Sequence, residues 1–119
     1  MSQVLLIGKD WRARALLRAQ LIEEGLDVEA HETASDAAES LERTELLPSL
    51  IVADLAASED PSADVDQLAR WARQTPTWII ASHGVIVDKR LNQRGFEVIL
   101  FRPVDVGELV DQIKWRVER

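Results

Sequence analysis

No cysteine occurs among the 119 residues, which excludes disulfides, thiolate nucleophiles and thiolate metal sites and suits a reducing compartment. Tyrosine is absent as well, and the aromatic share of 5% is carried by 4 Trp and 2 Phe. The 2 histidines, His31 and His83, lie far apart in the chain, and neither has a metal-ligating partner at a suitable spacing. Basic residues are in deficit: 14 Lys and Arg against 21 Asp and Glu leave a net charge of −7, which argues against a general electrostatic hold on nucleic acid. No window approaches the ~18 apolar residues of a membrane span, and no basic run precedes the first apolar stretch as it would in a signal peptide. The expectation is a single cytoplasmic domain over residues 1–119, with neither a membrane segment nor a direct nucleic-acid contact.

What the chain does contain is a set of short apolar runs, each ending in a polar residue. The central one is Pro48-Ser49-Leu50-Ile51-Val52-Ala53-Asp54-Leu55, which reads as a parallel strand buried on both faces and delivering one carboxylate at its end. Val4-Leu5-Leu6-Ile7 is a first strand and Leu26 to His31 a second. Thr77-Trp78-Ile79-Ile80-Ala81-Ser82 is a fourth, and Val98-Ile99-Leu100-Phe101, leading into Arg102-Pro103, a fifth.

Helical periodicity fills the gaps between these strands. Asp10 is an N-cap for a helix whose stripe is Ala13, Leu16, Leu17, Gln20 and Leu21, closed by Gly25. Thr33 or Ser35 caps a short helix carrying Ala34, Ala37, Ala38 and Leu41. A polar, proline-broken loop from Ala56 to Asp64 leads to a third helix with Val65, Leu68, Ala69 and Ala72 inward. A fourth helix is expected from about Val85 to Arg94, closed by Gly95, although its apolar residues cluster at one end. Asp105 and Glu108 open the last helix in a capping-box spacing, with Val106, Leu109, Val110, Ile113 and Val117 as its inner stripe.

Five strands alternating with five helices imply right-handed crossovers and a doubly wound α/β fold, flavodoxin-like, with strand order 2-1-3-4-5. In such a sheet, chemistry collects outside the carboxyl ends of the strands, so this order would bring Gly8-Lys9-Asp10, Asp54, Ser82 and Arg102 to one edge. Taken alone, Asp54 either caps its loop or carries function; four polar segments converging on it favour function. A nucleotide- or corrinoid-binding relative of the same fold is disfavoured, because neither a glycine-rich loop after the first strand nor an Asp-x-His-x-x-Gly signature is present.

On these residues, essentially the whole chain resembles a receiver domain of two-component response regulators. The resemblance implies that Asp54 stands at the phosphoacceptor, Ser82 at the hydroxyl ending the fourth strand and Arg102-Pro103 at the usual Lys-Pro, whose peptide bond it suggests is cis. It also implies a signalling module rather than an enzyme, acting on a signalling protein partner such as a sensor kinase or an output protein. The acidic pair that would bind Mg²⁺ is missing: Gly8 and Lys9 stand there, with Asp10 displaced by one position. Ile99 matches a position that is often aromatic, and the short loop after the acceptor is replaced by the longer Ala56 to Asp64 stretch.

Two readings follow. In the preferred one the chain is an atypical pseudo-receiver, needing no metal or other cofactor, in which the Lys9 ammonium stands in for the metal beside Asp54 and Arg102 strengthens the hold. Opposite charges ~4 Å apart interact by roughly 4 kcal/mol at an effective dielectric of about 20, and a guanidinium can bind a carboxylate through two parallel hydrogen bonds. In the alternative reading Asp54 is a conventional acceptor for a sensor histidine kinase, with Arg102 in the lysine role and Mg²⁺ held by Asp10 and the Ala56 carbonyl. Trp11 is expected beside this site. His83 follows Ser82 without a required role. Trp71 and Trp78 are expected in or against the core, and Trp115, opposite the inner stripe of the last helix, is the candidate interface residue, including for a homodimer through that helix.

Overall fold

The computed structural model describes residues 3–43, 46–82 and 91–118. Five strands, β1 (Val4–Gly8), β2 (Val28–His31), β3 (Leu50–Asp54), β4 (Thr77–Ala81) and β5 (Val98–Phe101), form one parallel sheet in the order β2-β1-β3-β4-β5. This is the expected doubly wound, flavodoxin-like arrangement. Among the described residues the helices are α1 (Trp11–Glu23), α2 (Ala34–Glu42), α3 (Pro61–Ala72) and α4 (Val106–Glu118), with a short 3-10 turn at Leu91–Gln93. Most of the helix expected from Val85 to Arg94 lies outside the described residues, as does His83.

Alternation along the strands divides the core in two. Val4, Leu6, Val52, Trp78 and Ile80 face α1 and α4, where Leu17, Leu21, Leu109, Val110 and Ile113 cover them. Leu5, Ile7, Ile51, Ala53, Ile79 and Ala81 face the other way, onto Ala37 of α2 and Val65 and Leu68 of α3. Strands β1, β3 and β4 are buried at nearly every position, which accounts for their unbroken apolar runs.

Local chemistry sets the helix ends. The Asp10 carboxylate accepts from the Ala13 N–H at 3.3 Å, and Thr33 rather than Ser35 caps α2, accepting from the Asp36 N–H at 3.0 Å. Gly25, at φ 89°, ends α1 in the left-handed conformation, with the Leu26 N–H reaching back to the Leu21 carbonyl at 3.2 Å. Two sequence expectations need correction. Helix α3 begins at Pro61, inside the expected loop, because Asp60 caps it through the Ala63 N–H at 3.1 Å and Pro61 fits the first helical position. Leu16 is not part of the inner stripe of α1: it is 49% exposed, while Leu17 and Leu21 are buried.

The β2 edge holds a small polar network. Glu29 Oε2 accepts from the Ser40 hydroxyl at 2.5 Å and meets His31 Nε2 at 2.9 Å. The Ser40 bond, followed by His31, holds the Glu29 carboxyl below its ordinary value of 4.5. A carboxyl depressed in the folded state stabilises fully above its unfolded value and loses that contribution as pH falls through the lowered one. Ser40→Ala is therefore expected to be slightly less stable than wild type in urea at about pH 7, with the gap closing below about pH 4. A gap that stays constant down to pH ~2 would show that the hydroxyl acts by packing alone.

Candidate functional site

Strand β3 is the middle of the sheet, and its register pairs Asp54 with Gly8 of β1 on one side and Ile80 of β4 on the other. Gly8 lies directly beside Asp54: a Cβ there would come into close contact, 3.4 Å, with the Cβ of Asp54. The carboxylate is only 11% exposed and both of its oxygens are engaged. Oδ1 accepts from the Ala56 N–H at 3.0 Å, an Asx-type turn that starts the following loop. Oδ2 accepts from Nη2 of Arg102, which enters from the end of β5, where its own N–H is tied to the Ala81 carbonyl at 2.8 Å.

Arg102 also faces a second carboxylate. Its Nη1 lies 3.8 Å from Asp10 Oδ2, while Asp10 Oδ1 remains occupied with the α1 cap. One guanidinium thus stands between two carboxylates. The hydrogen bond to Asp54 raises the Arg102 pKa above its ordinary value, partial burial opposes the rise, and the Asp54 and Asp10 charges add to it. Among the described residues no group of three or more His, Asp or Glu side chains is disposed to hold a metal ion.

Lys9 is not where the sequence reading put it. Its ammonium pairs with Glu59 at 3.0 Å, in a cavity whose lining includes Glu32, Asp60 and Asp64 and also reaches Asp54. Alternation explains the difference. Ile7 packs toward α2 and α3, so Gly8 faces α1 and α4, and Lys9 turns back toward α2 and α3. The same count puts Asp54, one residue after Ala53, and Arg102, three after Ile99, on the α1 and α4 side. The cation at Asp54 is therefore Arg102.

The remaining candidates fall in several places. Ser82, just past β4, is half-buried, and its hydroxyl makes no hydrogen bond with the described residues. The Ala56 N–H, rather than its carbonyl, is the group turned to Asp54. Trp11 is exposed at the first position of α1, with the Arg12 guanidinium 5.5 Å from its ring centre. Trp78 is buried and donates from Nε1 to Glu97 at 2.7 Å, and Trp71 packs against the α2 and α3 side of the core. Trp115 is 64% exposed and borders a surface groove with Val98, Leu100 and Arg116. The Arg102-Pro103 bond is cis.

Two residues at the site escaped the sequence reading. Arg14 of α1 donates through Nη1 to the Gly8 carbonyl, tying the helix to the end of β1. A basic residue in the first turn of a helix opposes the dipole, and that misfit was a readable signal of an outside partner. Ala57 has φ 64°, and the Ser58 N–H closes the turn onto the Leu55 carbonyl at 3.1 Å. Nothing in an Ala-Ala-Ser sequence announces a left-handed residue.

No protein-family model matches the chain, and no curated protein does. Solved structures do. A signal receiver domain from Vibrio parahaemolyticus is 25% identical with a TM-score of 0.76, covering 99% of this chain and 91% of its own. A CheY-like response regulator receiver domain protein from Methanospirillum hungatei is 15% identical with a TM-score of 0.79, covering 99% and 94%. NtrX from Brucella abortus, a longer protein, is 19% identical with a TM-score of 0.78; the match takes in 98% of this chain but only 27% of that one. No described helix is long and apolar enough to cross a membrane. Sheet order and helix placement agree with these neighbours: the chain has the fold of response-regulator receiver domains.

Proposed function

We propose that this chain is a cytoplasmic, non-enzymatic signalling receiver module that works through protein contacts, and that Arg102 holds its Asp54 in place of Mg²⁺-assisted phosphorylation. The observation that carries the reading is the ion pair from Arg102 Nη2 to Asp54 Oδ2, with Asp10 on the guanidinium's other side. Phosphoryl transfer to a carboxylate needs a divalent cation to offset the developing charge. The donor set here suits a guanidinium better than Mg²⁺, which favours octahedral oxygen ligation. Gly8 offers no side-chain oxygen, Lys9 brings a positive charge, both oxygens of Asp54 are engaged by Arg102 and a loop N–H, and one oxygen of Asp10 is engaged by the helix cap.

Intact-mass analysis after incubation with acetyl phosphate is expected to show no added phosphate, with or without Mg²⁺. A Mg²⁺-dependent gain of one phosphate that vanishes in Asp54→Asn overturns the reading and restores a conventional acceptor.

The contacts through which such a module signals are assigned to the face around Trp115, since exposed indoles are enriched at protein interfaces. The partner is a signalling protein or a second copy, with no direct role for nucleic acid or membrane. Trp115→Ala is expected to weaken self-association or partner capture by about tenfold. Unchanged solution mass and unchanged partner binding would remove this residue from the interface.

A further inference from the structure

Between α1 and α4, on the same side of the sheet as the Asp54 and Arg102 pair, lies a cleft of about 470 Å³. Its walls are Ala13 and Leu17 of α1, Ile80 of β4, Val104 just before α4, and Val106 and Leu109 in the first turn of α4. The polar groups that line it include Asp54 and Arg102. An apolar pocket of ~300–1,000 Å³ with a few convergent polar groups is the ordinary form of a small-molecule site.

The polar corner specifies the ligand class. A guanidinium has five N–H donors, and Arg102 commits one of them to Asp54, while its approach to Asp10 at 3.8 Å is longer than a hydrogen bond. The side chain is 33% exposed, so donors remain at the mouth of the cleft. A carboxylate can take them in the planar geometry that guanidinium favours. A neutral polar group would use them less well, and a dianion would meet about twice the repulsion from Asp10 and Asp54 that a single carboxylate does. A cation would meet Arg102 itself.

We infer that this cleft binds a small monocarboxylic acid with an apolar tail, the carboxylate on Arg102 and the tail between α1 and α4. Such a ligand would bear directly on the charge pair at Asp54 and serve as the module's input. The inference rests on the proposed function in one respect, that Arg102 stays at Asp54 and is not reserved for a phosphoryl group.

The test is calorimetric titration of the whole chain with octanoate, below its micellar range, beside octanol and octylamine. Octanoate is expected to bind one to one and at least about tenfold more tightly than either comparator. Arg102→Gln should cost a similar factor, and Val106→Phe, which fills the cleft while leaving the charge pair intact, should abolish binding. Equal binding of octanol or octylamine overturns the carboxylate assignment. Binding that survives Val106→Phe overturns the cleft. No saturable binding of octanoate overturns the whole inference and leaves the cleft to an apolar side chain of a partner protein. The titration contains neither Mg²⁺ nor phosphate, so its failure leaves the acetyl phosphate result untouched, and a mass gain in that experiment leaves an observed octanoate affinity standing.

Discussion

Arg102→Ala should destabilise the fold by about 2 kcal/mol, a large loss for one residue at the rim of a sheet. Removing one member of a buried ion pair costs ~3–5 kcal/mol, because the other charge is left desolvated without a partner. Asp54 is nearly buried, but a third of the Arg102 side chain meets solvent, so the full figure is discounted for screening. At this chain length the midpoint of thermal unfolding should fall by roughly 4 °C per kcal/mol. Asp54→Asn should cost less, since the amide still accepts from Ala56 and the guanidinium left behind is a third exposed and keeps Asp10 nearby. In the double variant the two losses should fall short of their sum, and the shortfall is the coupling energy of the pair. The measurement is urea unfolding of the four proteins at about pH 7. Strict additivity, or an Arg102→Ala protein as stable as wild type, would show that the pair does not hold in solution.

A second large effect separates two leucines that a periodicity plot treats alike. Leu21→Ala should cost about 3 kcal/mol, because Leu21 is 0% exposed in the layer between α1, α4 and the sheet, and the deletion leaves a cavity as well as lost transfer energy. Leu16→Ala, on the same helix, should change stability by less than ~0.5 kcal/mol, as for other exposed positions. Equal losses from the two would mean that α1 is rotated from the orientation described.

The contrast also shows what a one-dimensional reading can extract. Strands β1, β3 and β4 were legible because burial on both faces leaves an uninterrupted apolar run, and Asp10 and Asp105 were legible because a cap is local chemistry. Helix α1 was harder. Ala15, Leu16, Ala19 and Ile22 put apolar residues on its outer side too, so a 3.6-residue period cannot say which stripe faces the sheet. The start of α3 was hidden because Asp-Pro-Ser reads equally as a turn and as a cap followed by a first-turn proline.

At the site, the sequence placed Asp54, Lys9 and Arg102 at one edge of the sheet, and the structure pairs Asp54 with Arg102 and Lys9 with Glu59. Lys9 directly follows β1 and Arg102 directly follows β5, so distance along the chain does not separate them. The side on which a residue leaves its strand decides the pairing. That side could have been counted from the apolar residues of β1, β3 and β5. The cleft between α1 and α4 had no linear signature, because its walls come from three separated segments.

The partners in the Arg102 and Asp54 pair are mounted very differently. Asp54 ends a strand flanked by neighbours on both sides and buried in both layers of the core, whereas Arg102 leaves β5, a border strand with a single neighbour and only partly buried side chains. The acid is the fixed post and the base is the latch, so a signal that opens the pair has to do so by swinging the margin of the sheet and not by disturbing its spine.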